Sequence, residues 1–248
     1  MERQPALDTA VLIPSYKPDQ RLPAYIEDLR REGVGKIIIA DDGSGEDFRP
    51  VFDSIPQDGV AHVIHYLPNG GKGVALKRCM AYIQEECPDV RLIVTADGDG
   101  QHTAKDVMRM FEALRRDDSG LLLGARDFRQ AQVPPKSRMG NRITATVFYM
   151  LYGQWVEDTQ TGLRGFTREL MERMAAVRGD RYEFEMNVLI DCATNKIPIR
   201  PLPIETVYEN NNEGSHFRAV RDSARIYRII FGGFLRFASI SITCFLAD

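Results

Sequence analysis

The chain has few of the residues that would tie it to several familiar protein classes. Cysteine occurs four times in 248 residues, as Cys79, Cys87, Cys192 and Cys244, with no CxxC spacing. That excludes a paired-cysteine metal or redox motif and leaves reduced, buried thiols as the expectation. The four histidines, His62, His65, His102 and His216, have no HExxH spacing, which removes the usual helical zinc motif. GxxxxGK[ST] is absent, and the segment after the first apolar run is IPSYKP rather than GxGxxG. Both common nucleotide fingerprints are therefore missing. Charge of one sign is also lacking: the net charge is −3, so the molecule as a whole is not built for nucleic acid. The N-terminus shows no basic region leading into an apolar run, and no signal peptide is expected. There are no internal repeats.

What is present is an ordinary globular composition, 44% hydrophobic and 27% charged, enough for one large domain or two small ones. Short apolar runs alternate with helical patterns. Strands are predicted at AVLIP (10–14), KIIIA (36–40), AHVIHY (61–66), RLIVTA (91–96) and GLLLGA (120–125). Between them Leu22, Tyr25, Ile26 and Leu29 fall at helical spacing, as do Leu76, Met80 and Ile83, and then Val107, Met110, Phe111 and Leu114. This rhythm predicts an α/β fold with a mostly parallel central sheet flanked by helices. Ligands of such a sheet gather at the carboxyl ends of its strands. The second half breaks the rhythm. A polar loop (126–136) leads to a helix from about Ser137 to Tyr152, a Gly/Thr-rich loop (DTQTGLRGF), and helices near 167–176 and 185–195. A strand (IPIRPLPIETVY) and a polar loop (ENNNEGSHF) follow.

Several of the expected strand ends carry chemistry. TADGDGQH places Asp97 and Asp99 two residues apart after a buried run. In an extended segment both would point the same way, and with Gln101 they would offer hard oxygens to Mg²⁺ or Mn²⁺. The alternative is a polar turn closing a strand. In ADDGSG, Asp41 and Asp42 could accept from a ribose hydroxyl or a base, or could simply cap a turn. PNGGKG offers glycines, a helix start and Lys72 to an anion. Arg126, Ser137, Arg138 and Arg164 lie beside small residues, and guanidinium groups suit phosphate. Asp158, Glu183 and Glu185 are further acids that could meet a sugar or act as base. His102 and His216 remain site candidates.

The C-terminal segment HFRAVRDSARIYR is basic and amphipathic, with Arg221, Arg225 and Arg228 on one face. It runs into the apolar stretch Ile229–Ala247, broken by Arg236. A surface element at the cytoplasmic face of a membrane is expected. The apolar stretch lies in the interface or begins a spanning helix, since fewer residues follow Arg236 than the roughly 20 a span needs.

The segments IPSYKP, DDGS, NGGKGVAL, DGDGQH, GARDF, SRMGN, DTQTGLRGF, YEFEMN and SHFRAVRDSARIY, in this order, resemble the family 2 glycosyltransferases of GT-A fold, in their dolichyl/polyprenyl-phosphate sugar synthase branch. The tail resembles the start of a GtrA-like membrane region. The resemblance implies a GT-A domain over 1–218 and a membrane-associated segment over 219–248. It implies transfer of a hexosyl residue from a UDP- or GDP-sugar to a polyprenyl phosphate, inverting and dependent on a divalent cation. By the same resemblance Pro14 and Tyr16 would line the nucleotide pocket, with Asp42 reaching the base or ribose, and Lys72 would lie near the donor. Asp97, Asp99 and Gln101 would hold the metal. Arg126, Ser137 and Arg138 would meet the acceptor phosphate, with Asp158 close to the sugar; Arg164 and His216 are substrate-binding candidates from their own segments, TGLRGF and GSHFR. Asp99, Asp158, Arg126 and Arg138 are the candidates for the chemistry itself. Lys17, where many relatives have asparagine, departs from the pattern. A saccharide acceptor and a non-catalytic nucleotide-sugar-binding module are the competing readings.

Overall fold

The computed structural model describes residues 6–128, 135–205 and 227–234, with backbone alone at 135–137. Strands β1 (Ala6–Ser15), β2 (Val34–Asp42), β3 (Ala61–Tyr66), β4 (Leu92–Thr95), β5 (Leu121–Arg126), β6 (Arg164–Thr167) and β7 (Ile199–Ile204) form one sheet in the order β3-β2-β1-β4-β6-β5-β7. β6 alone runs antiparallel, against both β4 and β5. Helices α1 (Arg21–Arg31), α2 (Arg49–Asp53), α3 (Lys72–Glu86), α4 (Ala104–Arg116), α5 (Pro135–Tyr152), α6 (Arg168–Ala175) and α7 (Glu183–Thr194) cover the two faces.

The continuous apolar runs of β1 and β2 follow from burial on both faces. Ala10 and Leu12 join the core under α3, α5, α6 and α7, while Val11 and Ile13 join the core under α1, α2 and α4. Ile38 and Ala40 repeat the first set and Ile37 and Ile39 the second. The helical stripes of α1, α3 and α4 are buried as their spacing predicts. Thr103 caps α4 by accepting from the Asp106 N–H at 3.1 Å.

Two elements depart from the sequence reading. The segment DTQTGLRGF is read above as loop throughout, yet its end forms β6 and continues over Thr167. Four residues flanked by turn formers carry no alternation of their own; neighbours on both sides impose the strand. The last strand begins at Ile199, two residues into its predicted stretch, and runs to Ile204; residues 206–208 of that stretch lie outside the described residues. Pro201 and Pro203 are tolerated there because β7 is an edge. The basic C-terminal helix lies mainly outside the described residues; residues 227–234 are helical.

Candidate active site

The chain winds outward from β1 to β2 and β3, then crosses to β4 on the other side of β1. The carboxyl ends of β1 and β4 therefore flank the crevice where open α/β sheets bind ligands. Tyr16 follows the end of β1 and is half exposed. Beside it Lys17 adopts a positive φ, and its N–H donates to the Ser44 hydroxyl at 2.8 Å. Pro14 is half-buried at the end of β1.

Asp41 and Asp42, which end β2, are buried and already engaged. Asp41 accepts the Ser44 N–H at 2.9 Å and faces His65 Nδ1 at 2.8 Å. Asp42 accepts from the Tyr66 hydroxyl and the N–H groups of Gly70 and Gly71, at 2.7–2.8 Å. The amides of the glycine loop thus hold an anion, but it is the protein's own carboxylate. Asp42 thereby fixes the start of α3, whose first residue is Lys72.

Lys72 lies between two acids. Its Nζ is 2.8 Å from Asp97 Oδ1 and 3.1 Å from Glu185 Oε1. Burial alone would pull the ammonium down; the two carboxylates more than reverse it, and Lys72 is held well above its ordinary range. Burial likewise works to raise Asp97, but Lys72, with His102 Nε2 at 3.5 Å, holds it well below the usual carboxylate range. His102 is buried, with Nδ1 lacking a hydrogen-bond partner among the described residues.

Asp99 differs. The segment after β4 turns at Gly98 and Asp99 rather than staying extended, because the glycines let the chain bend; Gly100 adopts φ +76°. The two aspartates remain electrostatic neighbours all the same. Asp99 is raised by burial and then by the charge of Asp97. Its carboxylate accepts the Gln101 N–H at 3.1 Å, so Gln101 contributes its backbone here and its side chain is exposed. Among the described residues no three His, Cys, Asp or Glu side chains form a ready-made metal cage. Two carboxylates still fit Mg²⁺ or Mn²⁺, which commonly take one or two protein carboxylates and complete their shell with substrate phosphates and water. The donor chemistry is in favour: two carboxylates two residues apart after β4, Asp99 partly buried and within the field of Asp97, would both be relieved by a cation.

A second group centres on Arg126, at the end of β5. Its guanidinium grips Asp158 in a fork, Nε to Oδ2 at 2.6 Å and Nη2 to Oδ1 at 3.0 Å. Asp158 is fully buried and also accepts the Gln160 N–H. Its first partner is thus an arginine. Arg164, expected near the acceptor, is buried instead. It donates to the carbonyls of Thr161 and Glu185 and feels the charges of Glu185, Asp158 and Asp97. Its hydrogen bonds tie the loop before β6 to α7, which carries Glu185. Arg138 is exposed on α5; the Ser137 side chain and His216 lie outside the described residues.

Sequence reasoning missed Gly162. A Cβ there would overlap the Asp97 carboxylate, so the loop before β6 passes directly against it. The Thr95 hydroxyl fastens that loop by donating to the Gly162 carbonyl at 2.8 Å. The signal available was the glycine of TGLRG, whose need for close approach shows only once β6 is placed. Tyr66, which holds Asp42, gave no signal beyond its place at a strand end.

A mostly parallel sheet with acids gathered beside its switch point is the frame of a nucleotide-dependent transferase. The chain belongs to glycosyl transferase family 2, whose model matches residues 10–175, from β1 to the end of α6. It is a glycosyltransferase of the nucleotide-sugar-dependent kind. It is similar to the glycosyltransferase AglJ of Haloferax volcanii, 28% identical over 88% of this chain and 69% of that protein. The UDP-N-acetylglucosamine–dolichyl-phosphate N-acetylglucosaminyltransferase of Methanococcus voltae is 25% identical over 80% of this chain and 85% of its own length. Among solved structures, glucosyl-3-phosphoglycerate synthase of Mycobacterium tuberculosis, crystallised with Mn²⁺, UDP-glucose and phosphoglyceric acid, superposes with a TM-score of 0.64. It is 16% identical, with 91% of this chain and 79% of that one covered. That likeness establishes the GT-A type of fold.

Proposed function

We propose that this enzyme transfers a hexosyl residue from a UDP- or GDP-sugar to a polyprenyl phosphate, with inversion, at the cytoplasmic face of a membrane. The observation that carries the reading is the charge arrangement: an acidic pair, Asp97 and Asp99, at the switch-point crevice, and a preset guanidinium, Arg126, at the end of β5. Relatives named for dolichyl phosphate, from Methanococcus voltae to the dolichyl-phosphate beta-glucosyltransferase of Homo sapiens, support the acceptor class.

A divalent cation held by Asp97 and Asp99 would supply neutralisation of the charge growing on the leaving diphosphate. Tyr16 and Pro14 would border the nucleotide. Lys72, tied to Asp97 and Glu185, would add positive charge beside the diphosphate. Arg126, oriented by Asp158, and Arg138 would take the acceptor phosphate; Asp158 acts as a positioning residue. A phosphate monoester has a second pKa of about 6 and is largely dianionic near pH 7. It is already a nucleophile, so alignment matters more than a general base.

The test is transfer of radiolabelled sugar from UDP- and GDP-sugars to a short-chain polyprenyl phosphate in detergent, with Mn²⁺ or Mg²⁺. Label partitioning into organic solvent, lost in excess chelator, is expected. Label that stays in water on a saccharide acceptor would overturn the acceptor, and undiminished transfer in chelator would overturn the metal.

A further inference from the structure

Most of the described apolar surface is unremarkable, but α5 carries a stripe that the core does not use. Met139, Ile143 and Met150 lie on one side of the helix, at spacings of four and seven residues, and are 62%, 45% and 68% exposed. The stripe is about 16 Å long at 1.5 Å per residue. Tyr149 and Trp155 extend it with their rings edge to face, centroids 6.2 Å apart, each about half exposed. Scattered apolar side chains are normal on a surface; three large apolar residues on one helix side, with Thr146 between Ile143 and Met150 and two aromatics near the end, mark a contact.

Charge narrows the partner. Over its whole length, PKSRMGNRITATVFYMLY, α5 has three basic residues and no acidic one. A helix that is basic, apolar along one exposed side and aromatic at its rim has the composition of an interfacial helix on anionic lipid.

Continuity points the same way. The helix at 227–234 packs directly on α5: the Tyr152 hydroxyl donates to the Ile230 carbonyl at 2.6 Å, and the Tyr152 and Phe234 rings meet at 6.3 Å. That helix exposes Phe231, and the apolar sequence Ile229–Ala247 begins within it. In the first half of α5, Asn141 donates to the Glu157 carbonyl at 2.5 Å, next to the Asp158 that Arg126 grips. That contact is made from the side of α5 opposite the stripe, so the helix lies between the stripe and the arginine group.

We propose that the outward side of α5 lies in the headgroup region of an anionic lipid bilayer. This would hold the arginine group, one helix away, close to the plane from which a lipid-borne phosphate emerges. Only that purpose rests on the proposed acceptor; the docking surface itself does not.

The chain supplies its own reporter, because Trp155 is its single tryptophan. The full chain is mixed with vesicles of phosphatidylcholine and phosphatidylglycerol, and with matched vesicles carrying brominated acyl chains. The expected result is a blue shift of Trp155 and strong quenching by the brominated lipid. A variant carrying Met139→Gln, Ile143→Gln and Met150→Gln should bind vesicles at least about tenfold more weakly, roughly the effect of 1.4 kcal/mol. It should keep its circular dichroism and its transfer rate to a short-chain acceptor in detergent. Three outcomes overturn the proposal: no vesicle binding, vesicle binding that leaves Trp155 unquenched, or burial of Trp155 by a concentration-dependent dimer. Failure of the acceptor reading would show separately, as absent transfer in detergent.

Discussion

Asp99 shows what the site costs the fold. Burial and the neighbouring Asp97 charge raise its carboxyl in the folded chain. A carboxylate with a raised folded-state pKa weakens the protein wherever it is ionised, and has no such effect once both states are protonated. Asp99→Asn should therefore stabilise the metal-free protein at pH 7 by about 0.5–1 kcal/mol, a Tm rise of roughly 1–4 °C. The gain should shrink as pH falls through the raised folded value and be gone by about pH 4, the ordinary aspartate range. Thermal unfolding at pH 7 and pH 3.5 without metal checks this; an unchanged or lower Tm at pH 7 would mean that Asp99 is not strained by its neighbour. The same variant should lose transfer, so stability and activity would move in opposite directions.

At the scale of elements, β6 does most to assemble the site. Inserted antiparallel between β4 and β5, it draws the loop 158–163 across the sheet's carboxyl edge. Asp158 then meets Arg126, and Gly162 meets Asp97. Gly162→Ala would put a methyl where the Asp97 carboxylate lies, forcing that side chain to rotate. We expect the Mn²⁺ concentration for half-maximal transfer to rise about tenfold or more, with a stability loss of no more than about 1–2 kcal/mol. Mn²⁺ titration by electron paramagnetic resonance measures the binding directly, and wild-type affinity would break the link between this loop and the acidic pair.

For the whole molecule, carboxylates joined across elements set the acid limit. Asp8 is held low by its fork with Arg115, and Asp58 by its hydrogen bond to Arg30. Asp97 is held low by Lys72 and His102 against the opposing effect of burial. Each has a folded-state pKa below its unfolded one. Its contribution is complete above about pH 3.9 and is lost as pH falls through the folded value. Partly exposed pairs are screened, so each contributes up to about 1 kcal/mol. Tm should hold between pH 7 and 5 and drop by about 5–10 °C by pH 3. A flat profile to pH 3 would show that these pairs contribute nothing.

The sequence by itself determined the core and the sheet's long strands. Runs such as VLI and KIII can satisfy burial on both faces only inside a covered sheet, and helical spacing fixed which sides of α1, α3 and α4 turn inward. It also determined which strand ends carry Asp42, Lys72, Asp97 and Arg126, because residues next to a strand run must stand at that strand's edge. The tertiary structure alone decided who meets whom. Asp42 closes on the glycine loop, Lys72 spans Asp97 and Glu185, Arg164 is buried against the carbonyls of Thr161 and Glu185, and β6 exists because its neighbours hydrogen-bond it into place. These are contacts between residues far apart in the chain, and local periodicity carries no information about a partner a hundred positions away.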